Sequence, residues 1–168
     1  MEGTAAVVGI DVSKDRLDVH IRPSGETFAV ERTASGLDAL CRRLREIAPR
    51  IVALEATGGF EAIATAALAA AGLPVAVVNP AQVRSFARAL GRRAKTDPID
   101  AAVIAHFAAA TGVEVRPLKD KGKRSLRAHL PAWAVSVLDQ LGAEGFELTL
   151  WPTQMTTRRV AASAGSRS

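Results

Sequence analysis

Cysteine, tyrosine and long apolar runs are scarce or missing in this chain. It has one Cys and no Tyr among 168 residues. The single Cys41 excludes an internal disulfide, and nothing in the sequence matches a thiolate metal site. No uninterrupted apolar run approaches the roughly 20 residues that a membrane-spanning helix needs. We therefore expect neither a disulfide-stapled domain nor a membrane protein.

The sequence signals of several common protein classes are also missing. No basic leader precedes a long apolar stretch at the N-terminus, so we expect a cytoplasmic protein. The Gly-rich dinucleotide and P-loop fingerprints are absent. No Gly-x-Ser-x-Gly elbow occurs, and neither Ser13 nor Ser85 has a His near it in the sequence. Serine hydrolases and P-loop or dinucleotide-binding proteins are therefore not predicted.

The positive charge is unevenly distributed along the chain. The net charge is +5 and the isoelectric point is near 10.1. Residues 1–118 contain 14 Lys/Arg and 13 Asp/Glu, whereas residues 119–168 contain 8 and 4. Most of the excess belongs to the C-terminal part, so the isoelectric point alone says little about the partners of the main domain.

Hydrophobic periodicity predicts three strands followed by strand–helix alternation. Period-two alternation or a short apolar run indicates a strand, and Ser35 is a candidate N-cap for the first helix. The predicted strands are 5–12, 17–22, 27–32, 50–55 and 75–78, and the predicted helices are 36–47, 60–71, 80–90 and 97–110, with Pro98 in the first turn of the last. This order implies an α/β fold, a mixed sheet flanked by helices.

Four carboxylates stand next to apolar segments, where charge is costly. Asp11 interrupts one apolar strand, Glu55 ends another, and Asp97 and Asp100 open the last helix. An ionised carboxylate in such surroundings costs several kcal/mol unless a cation or hydrogen-bond donors offset it. A hard divalent cation prefers oxygen ligands. The sequence therefore predicts one metal site made of Asp11, Glu55, Asp97 and Asp100.

Each of these carboxylates also has a simpler interpretation. Asp11 could be a hydrogen-bond acceptor at a strand end, and Glu55 could leave the sheet into solvent. Asp97 and Asp100 suit a helix N-terminus, as cap and as first-turn acid. Their three-residue spacing would also put both on one helix face, as two ligands of one site require.

A basic cluster without acidic residues leads into the last helix. Phosphate contact is one interpretation and a solvated helix face is the other, and the sequence does not separate them. The candidate nucleic-acid-binding residues are Arg84, Arg88, Arg92, Arg93 and Lys95.

Four motifs in order resemble the N-terminal domain of the DEDD insertion-sequence transposases of the IS110 family, which is related to the Piv DNA invertases. They are VGIDVSK at 8–14, LEATGG at 54–59, VNP at 78–80 and KTDPIDA at 95–101. The resemblance implies a ribonuclease H-like (RuvC-like) fold over residues 5–118. It also implies Mg²⁺, with Mn²⁺ as a substitute, bound by Asp11, Glu55, Asp97 and Asp100. Such recombinases act on DNA under guidance of a structured bridge RNA, as higher oligomers.

Residues 119–168 depart from the family pattern. The family continues through a coiled coil into a second domain with a catalytic serine, and we find no counterpart of that serine. Pro131, Gly145 and Pro152 fit a long coiled coil badly. We therefore expect a divergent, basic and partly disordered extension, in a truncated copy that lacks the catalytic-serine domain.

Three functions compete at this stage. The first is the metal-binding domain of a transposase that performs phosphoryl transfer on DNA. The second is a non-catalytic remnant that binds nucleic acid or oligomerises. The third is an actin-like or sugar-kinase ATPase, whose first phosphate loop resembles Gly9-Ile10-Asp11. That class needs further Gly-rich phosphate loops, and this chain has none.

Overall fold

The structure is a computed structural model that describes residues 5–56, 58–91 and 100–115, together with the single positions Ala132 and Ser136. Within these ranges it contains five strands and four helices. They are β1 Val7–Val12, β2 Arg16–Arg22, β3 Glu26–Glu31, α1 Ala34–Ile47, β4 Ile51–Glu55, α2 Glu61–Ala70, β5 Val75–Val78, α3 Pro80–Ala89 and α4 Ala101–Thr111. The five predicted strands are confirmed, each to within about two residues, the accuracy expected of element boundaries. No described helix is long and apolar enough to cross a membrane.

The sheet is mixed, as predicted. Its strand order is β3-β2-β1-β4-β5. The pairs β1–β2 and β2–β3 are antiparallel, whereas β1–β4 and β4–β5 are parallel. Because β1, β4 and β5 run in the same direction, their carboxyl ends meet at one edge of the sheet.

Helices cover both faces of the sheet. Alternate residues of β1 and β2 pack with α1 and α2 in one buried cluster. A second cluster on the other face contains Val7, Ala53 and the inward sides of α3 and α4. The two layers of helices and the sheet between them make the three-layer α/β arrangement that the element order predicts.

Helix α4 lies directly across β1 at Gly9. A Cβ atom at this position would be 2.1 Å from the carbonyl oxygen of Ala101 and 2.4 Å from the amide nitrogen of Ala105. Only a residue without a side chain allows the helix backbone to approach a strand so closely. The N-terminal turn of α4 is thereby held beside the end of β1, two residues from Asp11.

Two predicted helix starts are wrong. The N-cap of α1 is Thr33, whose hydroxyl accepts a 3.2 Å hydrogen bond from the Gly36 amide, and not Ser35. Helix α4 begins at Ala101 and not at Asp97, because Asp100 is its N-cap with extended backbone, φ −105° and ψ 166°. Pro98 is therefore not in the first turn of α4.

Candidate active site

Asp11 and Glu55 occupy equivalent positions at the ends of two neighbouring parallel strands. Ile10 of β1 is the register partner of Leu54 of β4, and the two carboxylates are the next residue of each strand. Side chains alternate along a strand, so Asp11 shares the sheet face of Gly9, and Glu55 shares the face of Ala53. Both carboxylates therefore lie on the face that α4 covers, at the carboxyl edge of the sheet.

Glu55 is a buried acid. Its side chain is 5% exposed, so the interpretation that it leaves the sheet into solvent is wrong. Burial raises the pKa of Glu55, and the nearby charge of Asp11 raises it further, while Arg84 acts in the opposite direction. Two carboxylates that bind one cation must lie close together, and each then raises the pKa of the other unless a cation is bound between them.

Asp11 stands at the centre of the negative charge. Burial is the largest cause of its raised pKa, and the charges of Asp18 and Asp100 add to it, while a hydrogen bond with the Val12 backbone lowers it. Asp11 thus does accept the strand-end hydrogen bond of its simpler interpretation. The charge of Asp11 in turn raises the pKa of Glu55.

Asp18 also belongs to this cluster, because its charge raises the pKa of Asp11. It is the direct register partner of Asp11 across β1 and β2, is half-buried, and forms an ion pair with Arg16. Directly opposed residues of an antiparallel pair point to the same sheet face. The short connection between the two predicted strands could have indicated this pairing.

Asp100 caps a helix and contributes charge at the same time. Its carboxylate accepts a 2.9 Å hydrogen bond from the Val103 amide, so the helix-start interpretation of Asp100 is confirmed. Its charge also raises the pKa of Asp11 and opposes the lowering of the pKa of His20 by burial and by Arg22. Because Asp100 lies outside the helix, the argument that it shares a helix face with Asp97 does not hold.

The family comparison matches these elements. The sequence profile of the IS110 DEDD family, described as "Transposase", matches residues 8–130. The chain belongs to the IS110 family of DEDD transposases. The matched range contains all four carboxylates of the predicted IS110 site, and with the observed mixed sheet it establishes the ribonuclease H-like, RuvC-like α/β fold.

Other similarities to this IS110 domain are more distant. One solved structure, T. thermophilus RuvC in complex with Holliday junction substrate, is 19% identical with a TM-score of 0.46. The similarity covers 67% of this chain and 99% of that chain. No curated protein matches the chain.

The described part of the IS110 domain does not by itself contain a complete metal-ligand group. Among residues 5–56, 58–91 and 100–115, no three His, Cys, Asp or Glu side chains form a group that could hold a metal ion. Asp97 lies outside the described residues. The structure thus brings Asp11, Glu55 and Asp100 to one edge of the sheet, and the position of the fourth predicted ligand stays a prediction.

One residue of the predicted basic cluster, Arg84, lies beside this edge, and a second follows on the same helix. Arg84 and Arg88 are exposed on α3, one helical turn apart, while Val83 and Ala87 face the core. Asn79 caps the helix through a 2.8 Å hydrogen bond from the Ala81 amide. Arg84 is close enough to Glu55 to oppose the rise of its pKa. The other members of the cluster, Arg92, Arg93 and Lys95, lie outside the described residues.

Proposed function

We propose that this domain performs metal-dependent phosphoryl transfer on DNA as the acidic catalytic domain of an IS110-type transposase. One observation carries the proposal. Asp11 and Glu55 are held side by side on neighbouring strand ends, on one face of the sheet, and the charge of Asp11 raises the pKa of Glu55. A fold that keeps two such carboxylates together, against their repulsion, favours a cation between them.

The chemistry of the donor set fits a hard divalent ion. The described groups at the sheet edge are carboxylate oxygens, which suit Mg²⁺ and Mn²⁺ better than softer metals. Within the described ranges, none of the ion pairs involves Asp11 or Glu55. We propose Asp97 as a further ligand that completes the group. Asp100 lies next to the group and adds its negative charge.

The chain's own residues would hold the metal and position the DNA. A bound divalent ion would activate the attacking oxygen and stabilise the leaving oxygen at the scissile phosphate. Asp11 and Glu55 are fixed by strand pairing, and Asp100 is fixed by its cap to α4. Arg84 and Arg88 would contact backbone phosphates near the site, and their positive charge would compensate for the negative carboxylates. Arg92, Arg93 and Lys95 would extend this contact.

Guide RNA and a higher oligomer are further parts of the proposal. Both rest on membership of the IS110 family alone, because the resemblance to that family implies them. The exposed arginines of α3 suit the phosphates of either nucleic acid, because phosphate contacts carry no sequence information. Binding of a structured RNA that contains the insertion-sequence end, measured against an unrelated RNA of equal length, separates a guide from general affinity.

A non-catalytic remnant is the second candidate function. One observation favours it: the Asp100 carboxylate is engaged as a helix cap. A remnant would keep the fold and the α3 arginines and bind nucleic acid without cleaving it.

Cleavage of labelled DNA in Mg²⁺ or Mn²⁺ separates the two functions. We expect metal-dependent strand nicking that Glu55→Gln lowers by at least about 100-fold, because a direct ligand matters at least as much as its supporting residues. Glu61→Gln is the matched control, since its side chain lies on α2 and accepts a 2.9 Å hydrogen bond from the Gly59 amide. DNA binding without nicking in either metal would favour the remnant.

A further inference from the structure

Phe60 is an exposed aromatic residue near the carboxyl edge of the sheet. Three large apolar side chains are exposed in the described part of the chain, and Phe60, at 43%, is the aromatic one among them. It follows the last residue of β4, Glu55, by five positions and is the N-cap of α2. Five residues span at most about 17 Å, so the ring stays near the acidic cluster. Neither the core nor the proposed metal site accounts for an exposed ring at this place.

The ring of Phe60 is restrained by Arg32. The guanidinium carbon of Arg32 lies 5.1 Å from the centroid of the ring, in a cation–π contact. The Nε atom of Arg32 donates a hydrogen bond to the Lys14 carbonyl, and its backbone amide donates one of 2.9 Å to the Asp15 carbonyl. Both carbonyls belong to the turn that follows β1, the strand of Asp11. Arg32 therefore connects the loops that follow the two carboxylate-bearing strands, and it holds Phe60 relative to them.

The backbone before Phe60 leaves open space. Gly58 and Gly59 have φ angles of +71° and +111°, and a Cβ atom at either position would meet no described atom within 4 Å. Such φ values suit glycine and reverse the chain between β4 and α2. A ligand can therefore approach the ring of Phe60 from the side of this loop.

The charges around Phe60 favour a nucleobase over a phosphate group. The charged residues in the loop and along its contact with Arg32 are two cations and three acids. They are Lys14 and Arg32, and Asp15, Glu31 and Glu61. An excess of acids repels the phosphate backbone. The face of a nucleobase is uncharged, and it stacks on an aromatic ring whatever the base.

Phe60 and the candidate phosphate contact Arg84 lie on opposite faces of the sheet. Helix α2 packs with α1 on one face, whereas α3 and α4 cover the other, on which Asp11 and Glu55 lie. A DNA strand bound across the carboxyl edge can therefore place a phosphate at Arg84 and an adjoining base at Phe60.

We propose that Phe60 is a stacking platform for an unpaired base of the DNA strand on which the acidic site acts. The inference rests on the proposed function and adds a substrate contact outside the carboxylates. A base inside a duplex has both faces covered by its neighbours, whereas an unpaired base can stack on a side chain. The platform therefore favours single-stranded or locally opened DNA over an intact duplex. Phe60 binds substrate in this account and takes no part in the chemical step.

Binding of single-stranded DNA to the full chain tests the platform. The probe is a fluorescein-labelled strand of mixed sequence, titrated in EDTA and followed by anisotropy. Phe60→Ala should weaken binding about tenfold, within the range for the loss of one stacked base. Phe60→Trp should bind at least as tightly as the unmodified chain, whereas Phe60→Leu, which keeps an apolar side chain without a ring, should bind as weakly as Phe60→Ala. Leu90→Ala is the control, because Leu90 is 46% exposed at the far end of α3 and should not affect binding.

The salt dependence of the Kd separates stacking from phosphate contact. Loss of a stacked base leaves the slope of log K against log salt concentration unchanged. A slope lowered by about 0.7 in Phe60→Ala would indicate a lost phosphate contact and would overturn the proposal. Full affinity in Phe60→Ala or Phe60→Leu, or an equal loss with duplex DNA, would overturn it too. A larger loss with RNA of the same sequence would assign the platform to RNA and would contradict the DNA assignment.

Photocross-linking tests the same contact without a variant. A single strand that contains 5-iododeoxyuridine should cross-link to Phe60 in the unmodified chain, as mapped by mass spectrometry. Cross-links found only elsewhere in the chain would contradict the platform. Both experiments omit divalent metal, so their results are independent of cleavage. Absence of nicking would refute the proposed function while the stacking result stands, and nicking with unchanged binding by Phe60→Ala would refute the platform alone.

Discussion

At the scale of single residues, several carboxylates share the free-energy cost of burying negative charges close together. Burial is the largest cause of the raised pKa of both Asp11 and Glu55, and neighbouring acids increase it. Asp18 adds to the negative charge from β2 but is neutralised in part by its ion pair with Arg16. The metal-free protein therefore contains an unfavourable charge that a bound cation would offset.

Asp11→Asn should stabilise the metal-free protein by about 1 kcal/mol at pH 7, the typical gain from improving an unfavourable charge. A raised folded-state pKa means that the ionised Asp11 opposes folding above that pKa, and protonation removes this opposition. The advantage of the variant should therefore shrink as the pH falls through the raised pKa and disappear below the ordinary value of 3.8. Urea unfolding from pH 7 to pH 3.5 measures it, and a gain that grows at low pH would contradict the charge assignment.

Gly9→Ala should destabilise the protein by about 2 kcal/mol, a typical cost of overpacking. The added Cβ would meet the backbone of α4 at Ala101 and Ala105, and a helix backbone cannot move aside as a side chain can. Thr27→Ala on the exposed side of β3 serves as the control. Thermal unfolding in the absence of metal compares the two, and equal stabilities would show that α4 does not lie on β1 at Gly9.

At the scale of elements, strands were predictable and helix starts were not. Period-two alternation in β2 and apolar runs in β1 and β4 report burial directly, so those strands follow from the sequence. A helix start depends on which of several neighbouring polar residues becomes the N-cap. Thr33 and Ser35 competed for α1, and Asp97 and Asp100 competed for α4. In the structure Thr33 and Asp100 are the caps.

Substitutions of Asp100 separate its structural role from its charge. Asp100→Ala should cost about 1 kcal/mol of stability because the Val103 amide loses its acceptor. Asp100→Asn keeps a capping oxygen and should retain most of the stability, since Asn and Asp cap about equally well. Chemical unfolding of both variants provides the measurement. Equal losses in the two would mean that the Asp100 charge at the helix N-terminus, and not the cap, stabilises α4.

At the scale of the whole molecule, the topology assembles the site. Asp11 and Glu55 are 44 positions apart and meet only because β1 and β4 are parallel neighbours in register. The sequence predicted both carboxylates and a mixed sheet, but not the strand order, so the inclusion of Asp18 through β2 was missed. The proximity of α4 to β1 depends on backbone contact at Gly9, which hydrophobic periodicity does not report.

The central claim is that the acidic edge of the sheet binds a divalent cation through Asp11, Glu55 and Asp97. Calorimetric titration of the full chain with Mn²⁺ tests it most directly, with Asp11→Asn and Asp97→Asn as site variants and the exposed Asp15→Asn as the control. We expect binding by the unmodified chain and by Asp15→Asn, and a loss of affinity of about 100-fold or more in each site variant. No binding by the unmodified chain, or undiminished affinity in Asp11→Asn and Asp97→Asn, would contradict the account.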